Sequence, residues 1–105
     1  MDPSTVLDKL RSGMPVILDS TVFPSDDAIF RELEGESVLL NLETGMYYGL
    51  DAVGTRAWQL AAADGSLRAV RDALVEEYDA EPAVIERDLI ALADALIGKG
   101  LWTLK

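Results

Sequence analysis

The stretch that decides the fold reads Ser37-Val38-Leu39-Leu40-Asn41-Leu42, Glu43-Thr44-Gly45, Met46-Tyr47-Tyr48-Gly49-Leu50, Asp51. In its first six residues an alternation of period two sets Val38, Leu40 and Leu42 on one face and Leu39 on the other, as in a strand. Glu43-Thr44-Gly45 is a short loop whose glycine supplies the positive φ of a three-residue hairpin. Met46 to Leu50 is the aromatic return strand, stopped by Asp51. Upstream, Ala28-Ile29-Phe30-Arg31-Glu32-Leu33 is a further strand with imperfect alternation, and Glu34-Gly35-Glu36 turns the chain between the two. Two short loops joining three apolar segments predict an antiparallel meander.

Past Asp51 the period becomes helical. Asp51 reads as an N-cap, followed by a broad apolar face of Val53, Ala57, Trp58, Leu60 and Ala61. Asp64-Gly65-Ser66 breaks the chain, and Ser66 caps a second helix whose stripe is Leu67, Val70, Leu74 and Tyr78. Pro82 suits the first turn of a third helix, with Ile85, Leu89, Leu92 and Leu96 at core spacing and Gly98 and Gly100 ending it. The period predicts helices of about 11, 13 and 16 residues. Leu101 to Leu104 forms a short extended tail against the core. The predicted fold class is therefore α+β: a three-stranded antiparallel sheet followed by three helices, an order resembling a winged helix-turn-helix.

The N-terminal side is less regular. Val6, Leu7 and Leu10 form one short helical face ended by Gly13 and Pro15, and Met14 to Leu18 reads as either a strand or a tethered arm. Thr21 to Asp27, with Pro24, Ser25 and two aspartates, reads as a turn into the ordered domain.

Composition narrows the chemistry. The 105 residues carry a net charge of 9 − 19 = −10, with no cysteine and no histidine. Such a chain has no disulfide, no thiolate nucleophile and no imidazole base, so neither a Ser-His-Asp nor a Cys-His hydrolase can be assembled from it. Calcium-loop and glycine-rich phosphate-loop spacings are also missing, and no catalytic residue, metal ligand or cofactor is assigned. Nucleic-acid binding needs cations opposite phosphates, yet the third helix carries Glu86, Asp88 and Asp94 against Arg87 alone. The same sign disfavours anionic membranes. Met1-Asp2-Pro3-Ser4 lacks the basic start of a signal peptide, and no apolar run approaches a membrane span. A cytoplasmic protein without nucleic-acid or membrane partners is expected.

The residues from Val38 to Trp58 resemble those of the PqqD-like family, whose members are also called RiPP recognition elements. These are small domains that bind the leader peptides of ribosomally made, modified peptides. The likeness lies in the Leu-Leu-Asn-Leu strand at Leu39 to Leu42, the Glu-Thr-Gly loop, the Tyr-Tyr-Gly-Leu strand, Asp51, Gly54 and Trp58. It continues through Glu76-Glu77-Tyr78, the Asp79 to Pro82 turn and the ending Leu96 to Leu101. It spans Ala28 to Trp102, leaving 1–27 as an N-terminal arm and 28–105 as the PqqD-like leader-binding domain. The tyrosine-and-glycine version is most similar to the stand-alone proteins of lasso-peptide clusters. The resemblance implies that a precursor's leader docks as an extra strand between the last strand and the third helix. It also implies delivery of the peptide to a separate processing enzyme, a cysteine leader peptidase. The alternatives are a chaperone for the precursor of pyrroloquinoline quinone, and a winged-helix-like regulatory interaction module.

Strand addition has its own physical signature, since an edge strand offers unpaired N–H and C=O groups to another chain. Met46, Tyr47, Tyr48, Gly49 and Leu50 form the last strand before the helices, without the lysine or proline that usually guards an edge. Alternation sends Met46 and Tyr48 to one face and Tyr47 to the other. Gly49 either admits a ligand backbone or marks a bulge. On the third helix, Ile85, Leu89 and Leu92 read as core or as groove, and Val84, Ile90, Ala91, Ala93 and Ala95 widen the apolar surface beyond one stripe. Asp88, one turn beyond Val84, faces either solvent or a basic residue of a bound peptide. Gly54 reads as close packing against the sheet, and Trp58 as core.

Overall fold

The computed structural model describes residues 16–105. The expected helical face at Val6, Leu7 and Leu10 lies outside the described residues, as does the start of the Met14 to Leu18 segment. The described chain runs β1 (Val22–Pro24), β2 (Ala28–Leu33), β3 (Glu36–Asn41), β4 (Tyr47–Leu50), α1 (Ala52–Ala63), α2 (Leu67–Tyr78), α3 (Pro82–Gly98) and β5 (Trp102–Leu104). Strands β2, β3 and β4 form an antiparallel meander in that spatial order, while β1 and β5 pair as a separate two-stranded sheet. The expected α+β class, a three-stranded sheet followed by three helices, is what the structure has.

Local chemistry explains the boundaries. Glu34 and Gly35 both adopt positive φ (56° and 84°), the pair that a two-residue hairpin turn needs to match strand twist. Gly45 has φ 73°, as its place in the β3–β4 loop predicts. The Asp51 carboxylate accepts the Gly54 N–H at 2.8 Å and caps α1. Ser66 Oγ accepts the Ala69 N–H and caps α2. α3 opens on Pro82 without a side-chain cap and runs through Gly98, and Gly100 turns the chain with φ 73°.

The core is built around stacked rings. Phe30 of β2 stacks on Trp58 of α1, and Trp58 on Trp102 of β5, each with centroids 5.7 Å apart. Leu39, Leu67, Leu74, Leu89, Leu96 and Leu101 surround them, all buried. Of β3, only Leu39 sends an apolar side chain fully into this core. Val38 and Leu42 stand exposed on the other side, and Leu40 is half-buried. The larger apolar set of that strand therefore faces outward. Leu39's inner neighbours are the polar Ser37 and Asn41, both buried and both hydrogen-bonded. Ser37 Oγ lies 2.8 Å from Thr55 Oγ1 of α1. The Asn41 side-chain oxygen accepts the N–H groups of Glu43 (2.9 Å) and Thr44 (3.3 Å), and its amide donates to the Lys99 carbonyl at 2.9 Å. Asn41 thus ties the β3–β4 loop to the end of α3.

The segment read as a turn between Thr21 and Asp27 contains β1, with turn geometry confined to its end. Val22 pairs with Leu104 and Pro24 with Trp102, and Val22 is buried in the core. The Val22 N–H also donates to the Gly65 carbonyl at 2.9 Å. A Cβ on Gly65 would sit 2.0 Å from the Val22 carbonyl oxygen, so only glycine lets β1 approach the α1–α2 connection.

Candidate functional site: an open strand edge beside a cleft

The register of the meander shows where β4 points its backbone. β3 pairs with β4 as Leu39↔Tyr48 and Leu40↔Tyr47, and just beyond the ladder the Asn41 N–H donates to the Met46 carbonyl. On the other side of β3, the Leu42 N–H donates to the Asp27 carbonyl. Bonded and non-bonded pairs alternate along an antiparallel ladder. The two observations agree: Ser37, Leu39 and Asn41 bond toward β4, and Val38, Leu40 and Leu42 toward β2. Tyr48 and Leu50 therefore spend their main-chain groups on β3, whereas Tyr47 and Gly49 turn theirs to the open edge. No further backbone hydrogen bond among the described residues reaches Tyr47 or Gly49. The ladder also runs unbroken through Val38↔Gly49, so Gly49 marks no bulge.

Beside that edge lies a cleft of about 660 Å³. Gly49, Leu50 and Asp51 form one wall, and Ile85, Asp88, Leu89 and Leu92 of α3 form the other. Val53, Gly54 and Ala57 of α1, with Leu74 of α2, complete the lining. Leu89 and Ile85 are nearly buried, Leu92 is half-buried and Asp88 is exposed. The cleft thus has apolar walls with carboxylates, Asp51 and Asp88, among its lining. Gly54 serves close packing: a Cβ there would meet Asp51 Oδ1 at 3.2 Å and Leu50 Cδ2 at 3.3 Å.

Of the residues expected at the site, Gly49, Leu50, Ile85, Asp88, Leu89 and Leu92 are brought together here. Met46, Tyr47, Tyr48 and Val84 are not among the lining residues. Tyr48 turns to the inner face opposite Leu39, where the Lys99 ammonium lies 5.2 Å from its ring centroid. Tyr47 projects from the outer face, and Met46 and Val84 are exposed. Val53, Ala57 and Leu74 carry no sequence signal of a site; each looks like an ordinary core position of an amphipathic helix.

Among the described residues, no three His, Cys, Asp or Glu side chains gather as a metal site would need. No helix among them is long and apolar enough to cross a membrane. Ion pairs link the helices outside the cleft, Arg56 to Glu77 at 2.8 Å and Arg71 to Glu86 at 2.9 Å. Hydrogen bonding to Glu77 raises the pKa of the Arg56 guanidinium above its ordinary value.

Comparison with known proteins finds relatives for the chain and its fold. The family model of coenzyme PQQ synthesis protein D (PqqD) matches residues 36–101. A solved structure described as "TbiB1 in Complex with the TbiA(beta) Leader Peptide" is 39% identical, covering 75% of this chain and 92% of that one, with a TM-score of 0.72. A second, "Lasso peptide synthetase B1 complexed with the leader peptide", is 24% identical over 79% of this chain and 98% of that one, also with a TM-score of 0.72, a likeness of fold alone. Among curated proteins none matches.

Proposed function

The chain belongs to the family of coenzyme PQQ synthesis protein D, and from that premise we propose that it is a non-catalytic adaptor that captures the leader of a ribosomal precursor peptide. The leader adds as a strand to β4, and its alternate side chains enter the cleft against α3. The observation that carries this reading is the open edge: the outward N–H and C=O groups of Tyr47 and Gly49 stand beside an apolar cleft wide enough for side chains. Main-chain pairing supplies affinity whatever the sequence, and the pockets supply selection. Ile85, Leu89 and Leu92 receive apolar anchors, and Asp88 receives a basic residue.

A leader held this way raises the effective concentration of the attached core peptide for an enzyme that holds the adaptor. The enzyme is a separate cysteine leader peptidase, and the cluster one for a lasso peptide. Support for leader capture comes from the 39% identical chain, which was solved with a leader peptide. Support for the lasso client comes from the tyrosine-and-glycine strand and from the shared fold of lasso peptide synthetase B1. The family match itself favours a second reading, in which the client is the precursor of pyrroloquinoline quinone. The neighbouring genes discriminate: a peptidase and a cyclase belong to the first, a radical enzyme to the second.

The test is calorimetric titration with the synthetic leader of the neighbouring precursor, using two substitutions at one position. Tyr47 opens β4, where proline is tolerated in a strand, and its N–H faces the open edge. Tyr47→Pro deletes that donor and lowers affinity at least about tenfold, while Tyr47→Val, which keeps it, costs clearly less. Equal losses in the two variants would put the side chain, and not the strand edge, at the centre of recognition. Failure of the wild type to bind at about 100 μM would end the leader-capture reading.

A further inference from the structure

The outer face of the β2-β3-β4 sheet is apolar and open. Ile29, Leu33, Val38, Leu40 and Tyr47 share it by register, and Leu42 continues it past the end of β3. Leu33 is 78% exposed, Tyr47 69%, Leu42 56% and Val38 47%. Contiguous exposed apolar surface of this size is often functional. At one end a hollow of about 510 Å³ lies over Leu33, Val38 and Gly49, lined also by three carboxylates, Glu34, Glu36 and Asp51, against one cation, Arg31.

Three observations on the same face bear on what covers it. The first is size. Six-residue strands rising ~3.4 Å per residue and spaced ~4.8 Å apart cover roughly 300 Å² over three strands. A stable protein contact buries about 800 Å² on each side, so the bare face is too small to hold any durable partner until something enlarges it. The second is charge. Glu34, Glu36, Glu43 and Asp51 stand exposed around the face and Arg31 is the cation on it, while each copy carries −10. Two copies repel; a partner with lysines and arginines around an apolar patch does not. The third is continuity. Gly49 and Tyr47 present the open edge of the same sheet, so a leader strand added there widens this face and contributes its own outward side chains.

Resting on the leader-capture reading, we propose that this face seats the enzyme that cuts the docked peptide, and that the bound leader completes the seat. The enzyme brings an apolar patch framed by basic residues, and a lysine or arginine of that frame enters the hollow, its stem on Leu33 and Val38 and its charge beside Glu34 and Glu36. Adaptor and enzyme then associate more tightly when the leader is present, and the leader binds more tightly when the enzyme is present, by the same factor.

The experiment uses the full chain, the peptidase encoded beside it and that cluster's precursor. The double substitution Val38→Lys, Leu42→Lys places two cations on the face without touching the outward groups of β4. Circular dichroism checks folding, and Ile29→Thr, which keeps a β-branched side chain, replaces the double variant if lysines prevent folding. The expected result is leader affinity within about twofold of wild type, enzyme association and leader removal reduced about tenfold or more, and wild-type association strengthened by leader. A variant that binds leader and supports removal at the wild-type rate overturns the seat and leaves leader capture standing. A wild type that binds no leader overturns both. A wild-type dimer that the same variant dissolves, seen by sedimentation, gives the face to a second copy and overturns the enzyme's claim to it.

Discussion

On its inner face β3 carries Ser37, Leu39 and Asn41 into the core, whereas its outer face holds Val38 and Leu40 toward solvent, with Leu42 following beyond its end. Both buried polar side chains of β3, Ser37 and Asn41, flank Leu39 on the inner face, and most of its apolar members lie outside. The inversion is stable because each buried polar group is satisfied: Ser37 by Thr55, Asn41 by two loop N–H groups and the Lys99 carbonyl. Inner positions thus bind the sheet to α1 and to the end of α3, which fixes the width of the cleft. On the outer side Val38 and Leu42 stand exposed, which leaves them for a partner. One strand serves as a brace on one side and a contact surface on the other.

The inner side of this contrast breaks most visibly at Asn41. Asn41→Leu, which keeps the branched outline but with bulkier methyl groups, strands the Lys99 carbonyl and the Glu43 and Thr44 N–H groups, and is expected to cost about 2–4 kcal/mol in urea unfolding. Ser37→Ala removes one partner from a buried hydroxyl pair; Thr55 Oγ1 keeps the Leu50 carbonyl at 3.4 Å as an alternative acceptor. The expected loss is about 1 kcal/mol. Val38→Thr, on the outer face, is expected to change stability by less than about 0.5 kcal/mol. If its cost matches that of Ser37→Ala in the same titration, the outer face contributes to the fold and the contrast dissolves.

Much of this architecture is legible in the order of the residues. β2 spans the residues that alternation indicates, Asp51 and Ser66 cap their helices, Pro82 opens α3, and Gly45 turns the hairpin with positive φ. These features depend on neighbours a few positions apart, which local periodicity reports. The side of β3 that faces the core is another matter. Alternation yields two faces but no sign, and counting apolar residues favours the wrong one because the partners of Ser37 and Asn41 lie at Thr55 and Lys99. β1 escaped for a similar reason: three residues ending in proline look like a turn until Trp102 to Leu104 lies alongside.

The candidate site divides along the same line. β4 and the α3 wall follow from strand and helix periods, but the floor at Val53, Ala57 and Leu74 exists only once the helices pack. Tyr48 shows the limit at a single residue. It belongs to the edge strand, yet register turns it inward toward Leu39, and its ring meets Lys99.

The clasp of β1 with β5 has a consequence for engineering. Val22 and Leu104 are direct neighbours in the ladder, and the Lys105 N–H donates to the Thr21 carbonyl at 2.9 Å. With residues 1–20 removed, a short linker can therefore join Lys105 to Thr21, and new ends can be cut in an exposed connection such as Glu34-Gly35. A permuted protein of that design keeps β4 and α3 on one uninterrupted length of chain, so a cargo fused at the new ends hangs from the hairpin while the edge and its cleft are inherited whole.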